Sequence, residues 1–283
     1  MPETTQPAYI AVSDERGQRM ANFIHESIRP LETLKVLDLG CRLGGISLAF
    51  AQMARQVVAI DMLYDEKRAR SWEEKVGCAD NLFFACGDGS ALPFLDNSFD
   101  LVIINGVLEW VGAIDGPQNP RDMQTRFLEQ VRRVLKADGL FYLAIENRLF
   151  PGYILKDAHT RIPLIGALPR HLADSIALRF YRQPYRTYTY SYWGLEKLVR
   201  EAGFASRRFY TPLDTYWYPY AIVPVSDRKR VLRSLDHPDL ENASEEYRRA
   251  AIVSRGQRWF IKAMTWLGLI KVFCNAFVVI GRK

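Results

Sequence analysis

Three carboxylates close three successive apolar runs: Asp38 in VLDLG, Asp61 in VVAID, and Asp88 just beyond LFFAC in GDGSALPF. A carboxylate at the mouth of a buried run can accept two hydrogen bonds from a diol, take one from an exocyclic amine, or pair with a cation. Asp38 stands two residues before the first glycine of LGCRLGG, where the chain turns into an apolar helical pattern. Helix N-termini hold pyrophosphate best with no acid nearby, and the dinucleotide spacing GxGxxG would need glycine where Arg42 stands. The spacing therefore points to a phosphate-free ligand with a cationic end at Asp38, a ribose diol at Asp61, and a base amine near Asp88. Arg42 either crowds the cationic end of that ligand or swings outward toward an anionic partner.

A second polar group follows a later apolar run, LFYLAIE, and consists of Glu146, Asn147 and Arg148, with Asp157 and His159 nearby in DAHT. Imidazole is the side chain best tuned to accept a proton near neutral pH. His159 is therefore expected as a general base oriented by Asp157, with Glu146 as the third catalytic residue and Trp110, Asn147 and Arg148 on the substrate side. The competing role for His159 is that of a turn residue satisfied by backbone groups. His25, His171 and His237 have no constellation around them and are expected to be structural or solvated.

These residues need a scaffold that brings strand ends to one edge. Lys35 to Leu39, Val57 to Asp61 and Leu82 to Ala85 read as strands, and Gly45 to Ala54 and Asp65 to Val76 read as the helices between them. Leu101 to Asn105, a helix over Arg121 to Ala137 closed near Gly139, and Leu140 to Glu146 continue the alternation. Such βαβ order specifies a doubly wound parallel sheet, with ligands outside the carboxyl ends of its strands. Ahead of it, Ser13 reads as the cap of a helix that ends before Pro30. After Glu146 the regularity stops, and the proline-rich, aromatic stretch over 149–192 reads as an irregular, lid-like insertion. Tyr192 to Ala202 then reads as a helix, Ala205 to Thr211 as a strand, segments within Ala243 to Leu269 as helices, and Lys271 to Ile280 as the final strand.

Composition narrows the class. The chain has 283 residues, 48% of them hydrophobic, and a formal charge of +6 spread among acidic residues, so no basic stripe marks a nucleic-acid surface. The four cysteines show neither CxxC pairing nor histidine partners, which argues against disulfides and a zinc site and for a reducing, cytoplasmic setting. No metal is expected. The N-terminus lacks a secretory pattern, and Lys262 and Lys271 interrupt the most apolar C-terminal stretch, so no transmembrane segment is expected and membrane contact would be peripheral.

The series VLDLGC, VVAID, GDGSALPFLDNSFDLVIINGVLEWV and RRVLKADGLFYLAIENR resembles the class I S-adenosylmethionine-dependent methyltransferases over about Leu34 to Arg148, and FVVIGRK is similar to that fold's antiparallel last strand. The resemblance implies an α/β, Rossmann-like, seven-stranded, mostly parallel sheet with an antiparallel last strand and lid-like insertions after strands 5 and 6. It implies one domain over 1–283: an N-terminal helix (1–30), a cofactor-binding core (31–148), a substrate-side insertion (149–192), and the rest of the core (193–283) with a second insertion near 212–255. By position it places Asp38, Gly40 and Gly44 around the methionine part of S-adenosylmethionine, Asp61 at the ribose, and Asp88 with Gly89 at the adenine. Cys41 and Met62 belong to the same cofactor set, and Asn105 to Val107 to the opening toward the acceptor. Trp110 stands where many relatives have histidine. GVLEWVG, IENR, DAHT and YRTYTYSYWGLEKLVREAGF resemble a bacterial subgroup associated with surface-glycan or secondary-metabolite pathways.

The expected activity is O-methylation of a glycan, sugar-linked or other small-molecule acceptor. An RNA or protein methyltransferase, or an inactive protein of the same fold in which Arg42 obstructs the cofactor, is the alternative. A nicotinamide-dependent oxidoreductase is disfavoured by Asp38 and the missing glycine.

Overall fold

The computed structural model describes residues 6–113, 118–157, 159–182, 184–214, 217–237, 245, 248 and 255–283. Its centre is an eight-stranded sheet built from β1 (Lys35–Leu39), β2 (Gln56–Asp61), β3 (Leu82–Cys86), β4 (Phe99–Asn105), β5 (Leu135–Glu146), β6 (Ser206–Leu213), β7 (Ala221–Pro224) and β8 (Ala276–Arg282). The spatial order is β3-β2-β1-β4-β5-β8-β6-β7. β1 to β5 pair in parallel, while β8 runs antiparallel between β5 and β6. The order reverses between β1 and β4, and it is at such a reversal that doubly wound sheets open a ligand crevice.

The strand sequences explain their place. All of β4 except Asn105 is buried, as is β5 from Leu140 to Glu146, because helices cover both faces of the sheet. The sheet divides the interior into two apolar layers, one containing Leu37, Val102, Phe127, Phe141 and Phe277, the other Val36, Phe50, Leu101, Tyr142 and Val278. The alternation of neighbouring residues between the two layers is the period of a strand.

Ten helices are described: α1 (Gln6–Ser27), α2 (Gly45–Ala51), α3 (Glu66–Val76), α4 (Pro120–Val134), α5 (Pro151–Leu155), α6 (Arg170–Tyr181), α7 (Tyr192–Glu201), α8 (Arg228–Asp236), α9 (Arg255–Trp266) and α10 (Ile270–Phe273). Asp65 caps α3 through the Arg68 amide, and Asn119 caps α4 ahead of Pro120 at its first turn. No described helix is long and apolar enough to cross a membrane.

Several expectations are corrected. Helix α1 is already running at Gln6, so Ser13 lies within it and not at its cap. Helix α4 stops at Val134 because the sheet takes Leu135 opposite Phe99, and Lys136 turns to Asp100 at 2.8 Å. The insertion over 149–192 is less irregular than its prolines suggested, since it holds α5 and α6. The final strand begins at Ala276, because one more helical turn, α10, follows Gly268 and buries Ile270. An eighth strand, β7, pairs antiparallel with β6 inside the second insertion. The part of that insertion over 238–254 lies outside the described residues apart from Glu245 and Arg248, and so does most of the expected helical segment from Ala243 up to α9.

Candidate functional site

Parallel pairing puts the carboxyl ends of β1, β2, β3, β4 and β5 on one edge. Asp38 lies in β1, Asp61 ends β2, Asp88 follows β3, Asn105 ends β4, and Glu146 ends β5. Asp38 is only 2% exposed, and its Oδ2 accepts a 2.6 Å hydrogen bond from the Ser47 hydroxyl on α2. Burial pushes its carboxyl up to about 6; the Ser47 bond opposes that rise, the Asp61 charge adds to it, and the buried Arg16 of α1 opposes it. Asp61 is fixed at both oxygens, Oδ2 accepting from the Arg42 amide at 2.8 Å and Oδ1 from the Leu63 amide at 2.9 Å. Each carboxylate oxygen keeps a further lone pair for a ligand hydroxyl.

The turn between β1 and α2 carries its own brace. Gly40 and Gly44 have φ of +76° and +79°, and a Cβ on them would lie 2.4 Å from Val107 Cγ2 and 2.5 Å from Phe84 Cζ. Only glycine fits either place. Gly44 is therefore spent on packing against Phe84. Arg42 also adopts positive φ, its carbonyl accepts from Trp72 Nε1 at 2.8 Å, and its side chain is exposed, so it does not fill the turn. Cys41 is buried, and its amide with that of Gly40 donates to the Ile60 carbonyl. Burial raises the Cys41 thiol far above its ordinary range, so it is not a nucleophile.

Around these residues, Met62 is half exposed, and Asp88 is exposed with its oxygens on the Ser90 amide and hydroxyl. Gly89 is held close to Phe127, with no room for a side chain. Asn105 keeps a buried Oδ1 without a hydrogen-bond partner. Arg16, 4% exposed and stacked 4.9 Å from the Trp217 ring centroid, was missed, because nothing in the helical pattern of DERGQRM marks one arginine as inward-facing.

Farther along the edge, Glu146 and His159 meet. His159 Nε2 lies 3.8 Å from Glu146 Oε2, beyond hydrogen-bond distance, and the His159 ring sits edge-on to Trp110 at 5.0 Å between centroids. Glu109, in the short 3-10 turn Leu108–Trp110 after β4, joins them. It is fully buried, neither of its oxygens has a hydrogen-bond partner, and burial followed by the Glu146 charge holds its carboxyl well above the usual carboxylate range. One donor atom from each of Glu109, Glu146 and His159 falls within 4.8 Å of the others. The motif GVLEWVG does not by itself assign Glu109 to the site; an acid inside an otherwise apolar run is the signal it offers. Asp214, just after β6, was missed as well. It is buried at φ +83°, its Oδ2 has no hydrogen-bond partner, and burial pushes it up to about 8.

Three expected site residues have their polar groups engaged by non-sheet chain, Asp157 and Arg148 in the insertion and Asn147 just ahead of β8. The Asp157 carboxylate accepts from the amides of His159 and Thr160 and from the Thr160 hydroxyl at Oδ1, and from the Tyr185 hydroxyl at 3.0 Å at Oδ2, so it does not orient the His159 ring. Asn147 is fully buried and donates to the Val272 and Cys274 carbonyls at 2.8 and 2.7 Å. Arg148 donates to the Gly166 and Leu168 carbonyls. Their polar atoms satisfy backbone groups that the non-sheet chain would otherwise leave unpaired.

Residues 37–143 match the sequence profile of the family described as Methyltransferase domain. Among curated proteins, sterol 24-C-methyltransferase ERG6B of Gibberella zeae is 32% identical over 177 residues, which cover 61% of this chain and 42% of that protein. Malonyl-(acyl-carrier protein) O-methyltransferase of Geobacter sulfurreducens is 27% identical over 141 residues, 49% of this chain and 47% of that protein. The matches thus span less than half the length of these two relatives. Among solved structures, Haemonchus contortus phosphoethanolamine N-methyltransferase 2, in complex with phosphomonomethylethanolamine and S-adenosylhomocysteine, aligns with a TM-score of 0.52 and 13% identity over 94% of this chain and 52% of that chain. At that identity the likeness concerns the fold alone.

Proposed function

We propose, from the premise that residues 37–143 are a class I S-adenosylmethionine-dependent methyltransferase domain, that the whole chain transfers the methyl group of S-adenosylmethionine to a hydroxyl of a small-molecule acceptor, of glycan or sugar-linked type. The relatives are named for methylation at carbon, oxygen and nitrogen, so membership does not choose the atom. The observation that carries the choice of oxygen is the meeting of Glu146, His159 and Glu109 in a largely buried cluster at the β4 and β5 ends. Methyl transfer is an in-line displacement, and what it needs most is an acceptor held close and aligned in a dry site. A hydroxyl must also lose a proton, and this cluster offers His159 Nε2 and Glu146 as the nearest places for it to go.

The cofactor roles follow the edge. Asp38, with Arg16 of opposite charge near it, suits the amino and carboxylate ends of the methionine part, while Asp61 suits the ribose diol and Asp88 with Gly89 the adenine. Cys41 and Met62 belong to the same stretch, and Asn105, whose buried Oδ1 has no hydrogen-bond partner, is assigned to the cofactor as well. Trp110 offers a ring face against which a sugar can pack. The insertion over 149–192 acts as the acceptor-side lid of a single domain, and His159 is its contribution to chemistry.

The reading is tested by incubating the protein with methyl-labelled S-adenosylmethionine and a panel of glycan, sugar-nucleotide, phenolic, amine and RNA acceptors. Label on a hydroxyl oxygen, lost in His159→Ala, is the expected result. Label confined to nitrogen, carbon or RNA would overturn it.

A further inference from the structure

Buried acids are tolerated when something offsets their charge. Glu109 is fully buried, and among the described residues no Lys or Arg nitrogen lies within 4 Å of its carboxylate. Neither of its oxygens accepts a hydrogen bond. His159 brings an imidazole whose side chain is only 9% exposed and whose Nε2 also has no hydrogen-bond partner, pointed at Glu146 from 3.8 Å. An isolated ionised carboxylate in such a place costs several kcal/mol or more unless it is protonated, paired or coordinated.

We propose that Glu109, Glu146 and His159 form a binding site for a divalent first-row transition-metal ion. The donor set decides the class. Two carboxylates and one imidazole suit zinc, manganese, iron or cobalt, whereas magnesium and calcium favour all-oxygen shells and copper(I) favours sulfur. Donors bound at about 2.0–2.2 Å from an ion stand roughly 3–4 Å apart. The donor atoms here lie within 4.8 Å of one another, so side-chain rotations of about an ångström would close them on an ion. Three protein ligands would leave coordination positions open for an acceptor oxygen or water, and the His159 ring packs edge-on to Trp110.

The inference rests on the reading that the acceptor hydroxyl meets this cluster. A dication there would hold the hydroxyl oxygen and make its proton easier to lose. With His159 Nε2 serving as ligand, the proton would pass to the carboxylate oxygen of Glu146 that does not hold the ion, so that His159 would act as ligand in place of base. The three ligands come from a turn after β4, the end of β5 and the insertion, so the ion would also tie the lid to the sheet.

The test uses the full chain after chelator treatment and dialysis. Manganese(II) uptake is followed by loss of the free-ion electron paramagnetic resonance signal, and cobalt(II) uptake by its visible absorption bands. One ion per chain is expected, with affinity falling at least about 10-fold in both Glu109→Gln and His159→Ala. S-adenosylmethionine binding, measured on the same samples, shows that the variants are folded. No uptake of manganese, cobalt or zinc at millimolar concentration by the wild type would overturn the inference, and so would uptake unchanged in both variants. Loss of methyl transfer in His159→Ala by a protein that binds no ion leaves the acceptor site in place and removes the cation. One bound ion lost in both variants, in a protein that methylates no hydroxyl, keeps the cation and removes the O-methylation reading.

Discussion

The two ends of the ligand edge are built differently. Along β1 and β2, Asp38 and Asp61 sit within or at the end of strands and are fixed by nearby partners: Ser47 nine residues on, the Arg42 amide, and Leu63 two residues on. Beyond β5, the groups that meet come from residues 109, 146 and 159, and Glu109 together with His159 Nε2 lacks hydrogen-bond partners. The carboxylates of the first region are held by hydrogen bonds; in the second, Glu109 and His159 Nε2 are buried without one. Polar atoms left unsatisfied in a buried place are costly, and such sites are where function tends to be found.

This contrast predicts that substitutions separate into two classes. His159→Ala should lower methyl transfer by about 100- to 10,000-fold while leaving S-adenosylmethionine affinity within about threefold, as single-turnover kinetics and calorimetry would record. Equal losses in both quantities would erase the boundary between the regions. Asp38→Asn should do the reverse, weakening cofactor binding by roughly 10- to 100-fold through loss of a charge-assisted hydrogen bond. The same residue gives a pH signature. Because its folded-state carboxyl is raised to about 6, cofactor affinity should strengthen as pH climbs through that value and the carboxylate forms. The stability of the ligand-free protein moves the opposite way: the Asp38 contribution is fully present below the ordinary carboxylate range and is lost as pH rises through about 6. Asp38→Asn should flatten both profiles.

Asp157→Asn probes the insertion. Asparagine cannot reproduce all four accepted hydrogen bonds, so urea denaturation should show a loss of about 1–3 kcal/mol, with cofactor affinity unchanged. An intact stability combined with lost turnover would return Asp157 to the catalytic group. The smallest effect is expected of Arg42→Ala. Its backbone is what braces the turn, so cofactor affinity should shift by no more than about 0.5 kcal/mol.

The same contrast explains what could be read from the chain. VLDLG, VVAID and LFFAC declare strand, end and turn within a few residues, so the order of the sheet and the acids at its edge are local information. Asp157, Asn147 and Arg148 have equally suggestive types, but their partners are backbone groups and hydroxyls of non-repetitive chain, in the insertion for Asp157 and Arg148 and just ahead of β8 for Asn147, which periodicity does not encode. Glu109 and Arg16 were missed for a related reason: whether a charged residue turns inward depends on neighbours distant in sequence. Glu146 and His159 were singled out by their types, yet the direct approach of one to the other and the displacement of Asp157 from the ring needed the folded chain. β7 escaped because a four-residue strand within an aromatic stretch has too short a pattern to stand out.

The central claim is that one continuous edge holds S-adenosylmethionine over β1 and β2 and presents it to the cluster at the end of β5. Calorimetric titration of S-adenosylhomocysteine into wild type, Asp38→Asn and His159→Ala at pH 7.5 tests it most directly. The account predicts one site per chain in the wild type, a clear loss of affinity in Asp38→Asn, and near-wild-type affinity in His159→Ala. Absence of binding to the folded wild-type protein, or binding indifferent to Asp38, would contradict it.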